Sequence, residues 1–253
     1  VETMEKDGKE IQNNASTAQE AISNTHCSAE ASALKAPSEL DLRVPCYCEE
    51  NVWRLAYRRH NRARRDHHAV FISNNAKCCP MFQQKASKDA CFWDYHVILI
   101  EKTQDCALVW DVDTRLSFPC TLETYVAHSF PHMVVVPKNQ EDVVVSLKHL
   151  KAYAPLFRIV KAKDYLDTFC SDRLHMWNAE KKVWLSDPPT YGCIMPPGTT
   201  SGSNLDAFID MTDNTHGQIV NLSGLLEQFC PKKQERVASM VEEQSQQLQQ
   251  QQL

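Results

Sequence analysis

The chain is 253 residues long and 43% hydrophobic, enough for one sizeable core with length left over for tails. Its net charge of −5 provides no overall field that would draw it to nucleic acid or to an anionic membrane surface. No run approaches the roughly 18 apolar residues of a membrane span, and the first residues lack the apolar stretch of a secretory signal.

Residues 1–42 are rich in Glu, Ser, Ala, Asn and Lys, with few large apolar groups, and predict a disordered extension. At the other end, residues 233–253 close on "EEQSQQLQQQQL", a glutamine-rich tail. Residues 43–232 are expected to form a single domain. The 11 cysteines include "CYC" and "CC" but no C-x-x-C pair, which argues against a zinc site or a disulfide framework. Reduced thiols in a cytoplasmic or nuclear protein are the expectation, with no metal.

The first strong element is "CEENVWRLAYRR" (48–59), a helix with Glu49 and Glu50 in its first turn, where carboxylates suit the helix dipole. A thiol at such a start meets unpaired backbone N–H groups that favour the thiolate, which makes Cys48 better placed than Cys46 as a nucleophile. The two glutamates oppose that, so a histidine partner is required. After the helix, "RRHNRARRDHH" (58–68) carries five arginines. It reads as a solvated loop. A nucleic-acid patch is the competing reading, disfavoured by the acidic remainder of the chain and the lack of interleaved aromatics.

"AVFIS" (69–73) predicts a buried strand, and "CFWDYHVILI" (91–100) with "CALVWDVD" (106–113) predicts a hairpin. If Thr103 and Gln104 form a two-residue loop, His96 lies directly opposite Asp111. Facing Cβ atoms are then about 4.5–5.5 Å apart, within reach for a carboxylate to orient an imidazole. A loop two residues longer puts Asp113 there instead. Strand parity places Asp94, His96, Asp111 and Asp113 on one face, and sends Trp93, Tyr95, Val97 and Trp110 to the other, as core. Further on, "TLETYVAHSF", "DYLDTF", "NLDAFIDM" and "SGLLEQF" predict helices and "FRIVKA" (157–162) a strand, giving an α+β fold. In "SDRLHM" (171–176) the expected role is a structural Asp172–Arg173 ion pair, with Ser171 and His175 as possible neighbours of the site.

The residues thus suggest Cys48 as nucleophile, His96 as general acid and base, and Asp111 as orienter. Taken singly, Cys48 is equally a buried filler and His96 a satisfied core histidine. Two other readings stand beside the hydrolase: a thiol protease or transglutaminase using the same three groups, and an inactive interaction module whose tails carry the function.

"CYCEENVW", "AVFISN", "WDYHVILI", "DVDTRLSFPC", "FRIVKAKDYLDTFCSDRLHM" and "NLDAFI", in this order, resemble the protein N-terminal glutamine amidohydrolase family, the WDYHV-motif enzymes. The resemblance spans nearly all of residues 45–230. It implies a papain- or transglutaminase-like cysteine hydrolase fold, the nucleophile at a helix N-terminus packed on an antiparallel sheet. It also implies a triad on Cys48, His96 and Asp111, a monomer, and no cofactor. The implied reaction converts the side-chain amide of an N-terminal Gln to Glu with release of ammonia, feeding arginylation and N-end-rule degradation. The implied partners are proteins or peptides beginning with Gln, neither nucleic acid nor membrane. Recognition of the free α-ammonium demands an anion. Glu49, Glu50, Asp113 and Asp172 are candidates, with Asp113 or a glutamate of "CEEN", Glu49 foremost, preferred. The Arg-rich 58–68 segment and the long stretch over 131–155 depart from the pattern.

Overall fold

A computed structural model describes residues 39, 41–60, 66–104, 106–134 and 153–230. The expected disorder of residues 1–38, the glutamine-rich tail and most of the 131–155 stretch lie outside the described residues. In chain order the elements are α1 (Cys48–His60), β1 (Asp66–Ser73), β2 (Cys79–Met81), β3 (Cys91–Trp93), β4 (His96–Lys102), β5 (Ala107–Trp110) and β6 (Cys120–Thr121). They continue with α2 (Leu122–Ser129), α3 (Pro131–Val134), β7 (Leu156–Lys161), α4 (Ala162–Thr168) and a 3-10 turn (Leu174–Met176). The last elements are β8 (Trp177–Asn178), β9 (Val183–Trp184), α5 (Leu205–Ile209), β10 (Gln218–Val220) and α6 (Leu222–Phe229).

Six strands form one sheet in the order β10-β7-β1-β4-β5-β6, and every pairing in it is antiparallel. Strand alternation divides the core into two layers. Ala69, Phe71, Val97 and Leu99 face α1, α4 and α5, whose Val52, Leu55, Tyr165, Phe169 and Phe208 complete that cluster. Val70, Ile72, Ile98 and Ile100 face the opposite side, against Tyr125 and Val126 of α2 and Leu225 and Phe229 of α6. Helices cover both faces, which explains why β1 and β4 read as continuous apolar runs. The fold is α+β, as expected.

Packing reaches back to Glu39 and Leu42, ahead of the boundary expected at 43. Leu42 is buried, and the Glu39 carboxylate takes both oxygens to Arg59 Nη1 at 3.0 Å. The same guanidinium bonds Glu101 at 3.0 Å and lies 3.3 Å over the Trp110 ring. The basic segment is therefore not a single solvated loop. Arg59 ends α1 in a buried ion network, and His67 and His68 are buried in β1.

The hairpin differs from the two-residue expectation. Lys102 pairs with Ala107 and Leu99 with Trp110, so the connection spans four residues, and β5 ends at Trp110. Thr103 closes the wider loop: its hydroxyl donates to the Cys106 carbonyl at 2.8 Å and accepts from the Cys106 amide at 3.0 Å. The 91–100 run is also two strands, since β3 leaves the main sheet to pair with β2. Eight of the described cysteines, Cys48 among them, are free thiols, while Cys106 is disulfide-bonded, a departure from the reduced state expected throughout.

Arg158 of β7 shows how irregular chain is held to this frame. Fully buried, it donates to the carbonyls of Phe208 (2.7 Å), His216 (3.1 Å), Asp213 (3.0 Å) and Asp210. Arg158→Met removes those donors and leaves the buried Phe208 carbonyl and three half-buried ones without a protein partner, at a cost of about 2–4 kcal/mol. A denaturation midpoint lowered accordingly, with hydrogen exchange quickened first over residues 208–216, is the expected outcome.

Candidate active site

A cavity of about 390 Å³ opens where the start of α1 meets the start of β4. Cys48, His96 and Asp113 line it, with Arg43, Trp93, Tyr95, His175 and the α5 residues Leu205 and Ile209. That volume suits one amino-acid side chain with its backbone.

Cys48 is the first residue of α1 and is buried. Pro45 precedes it, and Asn51 locks the approach by exchanging two hydrogen bonds with the Val44 backbone, at 2.9 and 2.8 Å. The thiol donates to Glu49 Oε2 at 3.6 Å. Burial pushes its pKa well above the usual thiol range, and the charges of Glu49 and Asp113 add to that, against a backbone hydrogen bond from Val97. The helix start therefore does not by itself yield a thiolate; in the resting protein desolvation wins.

His96 opens β4 and is buried, its ring stacked on Trp93 at 6.1 Å between centroids. Its Nε2 lies 3.1 Å from Asp111 Oδ2, an ion-pair contact whose N–H is not aligned well enough on the oxygen for a hydrogen bond. Burial, the largest influence, lowers the imidazole pKa, but the Asp111 charge with help from Asp113 and Glu49 outweighs it, and the net shift is upward. Asp111 is held by the Tyr125 hydroxyl at 2.8 Å and the Asp113 amide at 2.9 Å. Burial raises its pKa, yet His96 and these donors bring the net value below the usual range.

The longer loop would have set Asp113 opposite His96, but the ladder stops at Trp110 and the chain turns. Asp111 thereby meets the imidazole, while Asp113 is taken by Arg43 Nε at 2.7 Å. Trp93 and Tyr95, expected in the core facing away, both line the cavity. Tyr95 still packs in the core with Val97 and Trp110, as expected, while the break between β3 and β4 turns Trp93 to the other layer. Tyr95 also donates to Glu49 Oε2 at 2.9 Å. Glu50 is fully committed to a bidentate pair with Arg173, at 2.7 and 2.8 Å. That replaces the expected Asp172–Arg173 pair; Asp172 instead accepts from the Leu174 amide at 3.0 Å. None of Glu49, Glu50 and Asp172 lines the cavity; Glu50 is spent on Arg173, whereas Glu49 lies against Cys48 behind the cavity wall with its Oε1 lacking a hydrogen-bond partner. Cys46 is exposed at the rim, with a backbone φ of 66°.

Sequence reasoning missed Arg43 and the α5 wall, and gave His175 only as a neighbour. No spacing rule links these segments to residue 48. Among the described residues no group of three or more His, Cys, Asp or Glu is arranged to hold a metal ion, and no helix is long and apolar enough to cross a membrane.

An α+β frame that gathers a thiol, an imidazole and carboxylates around one cavity has the layout of a hydrolase. Comparison with known proteins narrows the class: the model of the N-terminal glutamine amidase family matches residues 43–229, and the chain belongs to that family. Among its relatives is the protein N-terminal glutamine amidohydrolase of Danio rerio, 38% identical over 195 residues, covering 74% of this chain and 88% of the relative. The Bos taurus protein of the same name is 36% identical over 172 residues, 66% of this chain and 75% of its own. The Homo sapiens one is 34% identical over 203 residues, 78% and 91% respectively.

If the Asp111 charge is what keeps the His96 pKa up against burial, Asp111→Asn reverses the balance. The imidazole titration followed by NMR then moves to lower pH than in the unaltered protein.

Proposed function

We propose that this chain hydrolyses the side-chain amide of N-terminal glutamine, with Cys48 as nucleophile, His96 as proton carrier and Asp111 as orienter. The observation that carries the reading is that Cys48 and His96 face one cavity while Asp111 stands behind the imidazole. The family match and the names of the relatives support the substrate class. The fold type proposed is papain- or transglutaminase-like, supported by a thiol at a helix start packed on an antiparallel sheet that carries the histidine.

The chemistry follows from the resting protonation state. Cys48 is a neutral thiol, so its proton passes to His96 as sulfur attacks the carboxamide carbon and the C–S bond forms. With Nε2 the ring nitrogen beside Asp111, Nδ1 is the one left for this transfer. An N–H at the start of α1 stabilises the oxyanion. His96 then gives its proton to the amide nitrogen, the C–N bond breaks, ammonia leaves and a thioester remains. Water, deprotonated by His96, attacks the thioester, and the thiol and a γ-carboxyl are released. The buried Asp111 carboxylate stabilises the imidazolium present between these transfers. The new N-terminal Glu is the form that arginylation and N-end-rule degradation take up.

Three peptides test the class and the specificity together: one beginning with Gln, one beginning with Asn, one with Gln inside the chain. Ammonia release from the first alone, without cleavage or crosslinking, is expected, and Cys48→Ala or His96→Ala lowers the rate by about 10⁴ or more. Release of a peptide fragment instead would put the chain among thiol proteases.

A further inference from the structure

Glu49 is fully buried beside the nucleophile and is left half-satisfied. Its Oε2 accepts from Tyr95 and from the Cys48 thiol, but Oε1 has no hydrogen-bond partner. The nearest cation-forming group to Oε1 in these contacts is His175 Nε2 at 3.7 Å, and His175 itself lines the cavity with 28% of its side chain exposed. A buried, unpaired carboxylate oxygen costs free energy that a merely structural role would not demand. Glu49 does not itself line the cavity but lies behind its wall, against the lining residues Cys48, Tyr95 and His175, whereas three other carboxylates do line it. Asp113 is already paired with Arg43, and Asp94 and Asp206 are exposed, where an ion pair contributes little.

The substrate's covalent geometry selects among these groups. In an N-terminal glutamine the α-nitrogen lies at most roughly 5 Å from the side-chain carbonyl carbon. An anion that meets it must therefore sit next to the nucleophile, and Glu49 Oε2 is 3.6 Å from Cys48 Sγ. We propose that Glu49 is the subsite for the substrate's α-ammonium, reached past His175, and that its occupation relieves Cys48 of a neighbouring negative charge. Recognition of a free amino terminus and activation of the nucleophile are then one event. The inference rests on the reading that N-terminal glutamine is the substrate.

The surroundings agree. Glu49 is faced by Cys48 and Glu50 on α1, by Tyr95 and His96 at the start of β4, by Tyr165 on α4 and by His175 on the 3-10 turn. The Glu50 charge is offset by Arg173, and Tyr165 donates to the Glu49 main-chain carbonyl at 2.9 Å. Burial, against the hydrogen bonds, raises the Glu49 pKa to about 7. Above about pH 7 the carboxylate is therefore ionised beside Cys48 without a full ion partner, and an arriving ammonium supplies one.

The test compares a Gln peptide with a glutaramoyl peptide, which keeps the carboxamide and chain but lacks the α-amine. Wild-type protein should favour the Gln peptide in kcat/KM by on the order of a hundredfold or more. Glu49→Gln should collapse that ratio mainly through KM, and Glu49→Asp should restore part of it. Cys48 alkylation by iodoacetamide should move to lower pH in Glu49→Gln, by about one unit. The unaltered protein gives a readout independent of any folding defect: KM for the Gln peptide falls as pH rises through about 7, as Glu49 ionises, and KM for the glutaramoyl peptide does not. Equal turnover of the two peptides by wild type, or a ratio that survives Glu49→Gln and collapses in Asp94→Asn or Asp206→Asn, overturns the inference and leaves the amidohydrolase reading standing. No ammonia from any Gln peptide overturns both.

Discussion

One buried negative charge organises the site. Asp111 stays ionised in the interior because Tyr125, the Asp113 amide and His96 surround it, and an uncompensated carboxylate there would be too costly to keep. From that charge the protonation states follow in order. Asp111 raises the affinity of His96 for a proton against the pull of burial. In the proposed reaction the imidazole is thereby the acceptor for the proton of Cys48, whose own burial disfavours a free thiolate. A thiol and a strong acceptor separated by a proton transfer suit the first step of acyl transfer. Neither group alone would be reactive.

The helix start and the glutamates act in opposite senses at Cys48, and the structure decides between them by burial. Helix N-termini favour anions by a modest amount when exposed. At Cys48, desolvation and the adjacent Glu49 and Asp113 charges exceed that gain. An unmodified count of motifs would have read the same residues as a pre-formed thiolate. Under the proposed mechanism the distinction matters for selectivity, because a thiol that ionises only when substrate is bound is poorly reactive toward adventitious electrophiles.

The chemistry was more legible in the sequence than the geometry that delivers it. Short apolar, β-branched runs named β1, β4 and β7, and the "CEEN" start placed Cys48 at the head of α1, because these depend on local composition and local capping. The hairpin register did not follow from pattern. Thr103 closes a four-residue loop with its own hydroxyl, so the two-residue arithmetic was displaced by two positions. Asp111 still reaches His96 only because β5 ends first. Trp93 was sent to the wrong layer by assuming a continuous strand through Asp94, where the chain changes sheets, whereas Tyr95 packs with Val97 and Trp110 as expected and lines the cavity as well. His175 and Arg43 arrive through contacts across more than 60 residues, which no window along the chain contains.

Those distant walls are built from irregular chain, and three buried guanidiniums hold it. Arg173 ties the segment carrying His175 to α1 through Glu50, and also donates to the carbonyls of Pro189 (3.2 Å), Tyr191 (3.0 Å) and Gly192 (3.1 Å). Arg158 fixes the chain that follows α5, whose Leu205 and Ile209 line the cavity. Arg59 joins Glu39 to Glu101 across the helix and the sheet. Lysine could not substitute in these positions, since only a planar fork with five donors can satisfy several acceptors at fixed angles. A buried ion pair adds little net stability compared with an apolar replacement, but it permits few alternative geometries. The loops beside Cys48 therefore obtain from arginines the positional definition that strands obtain from their ladders. A site assembled from remote segments needs that definition wherever a carboxamide must lie within bonding distance of one sulfur.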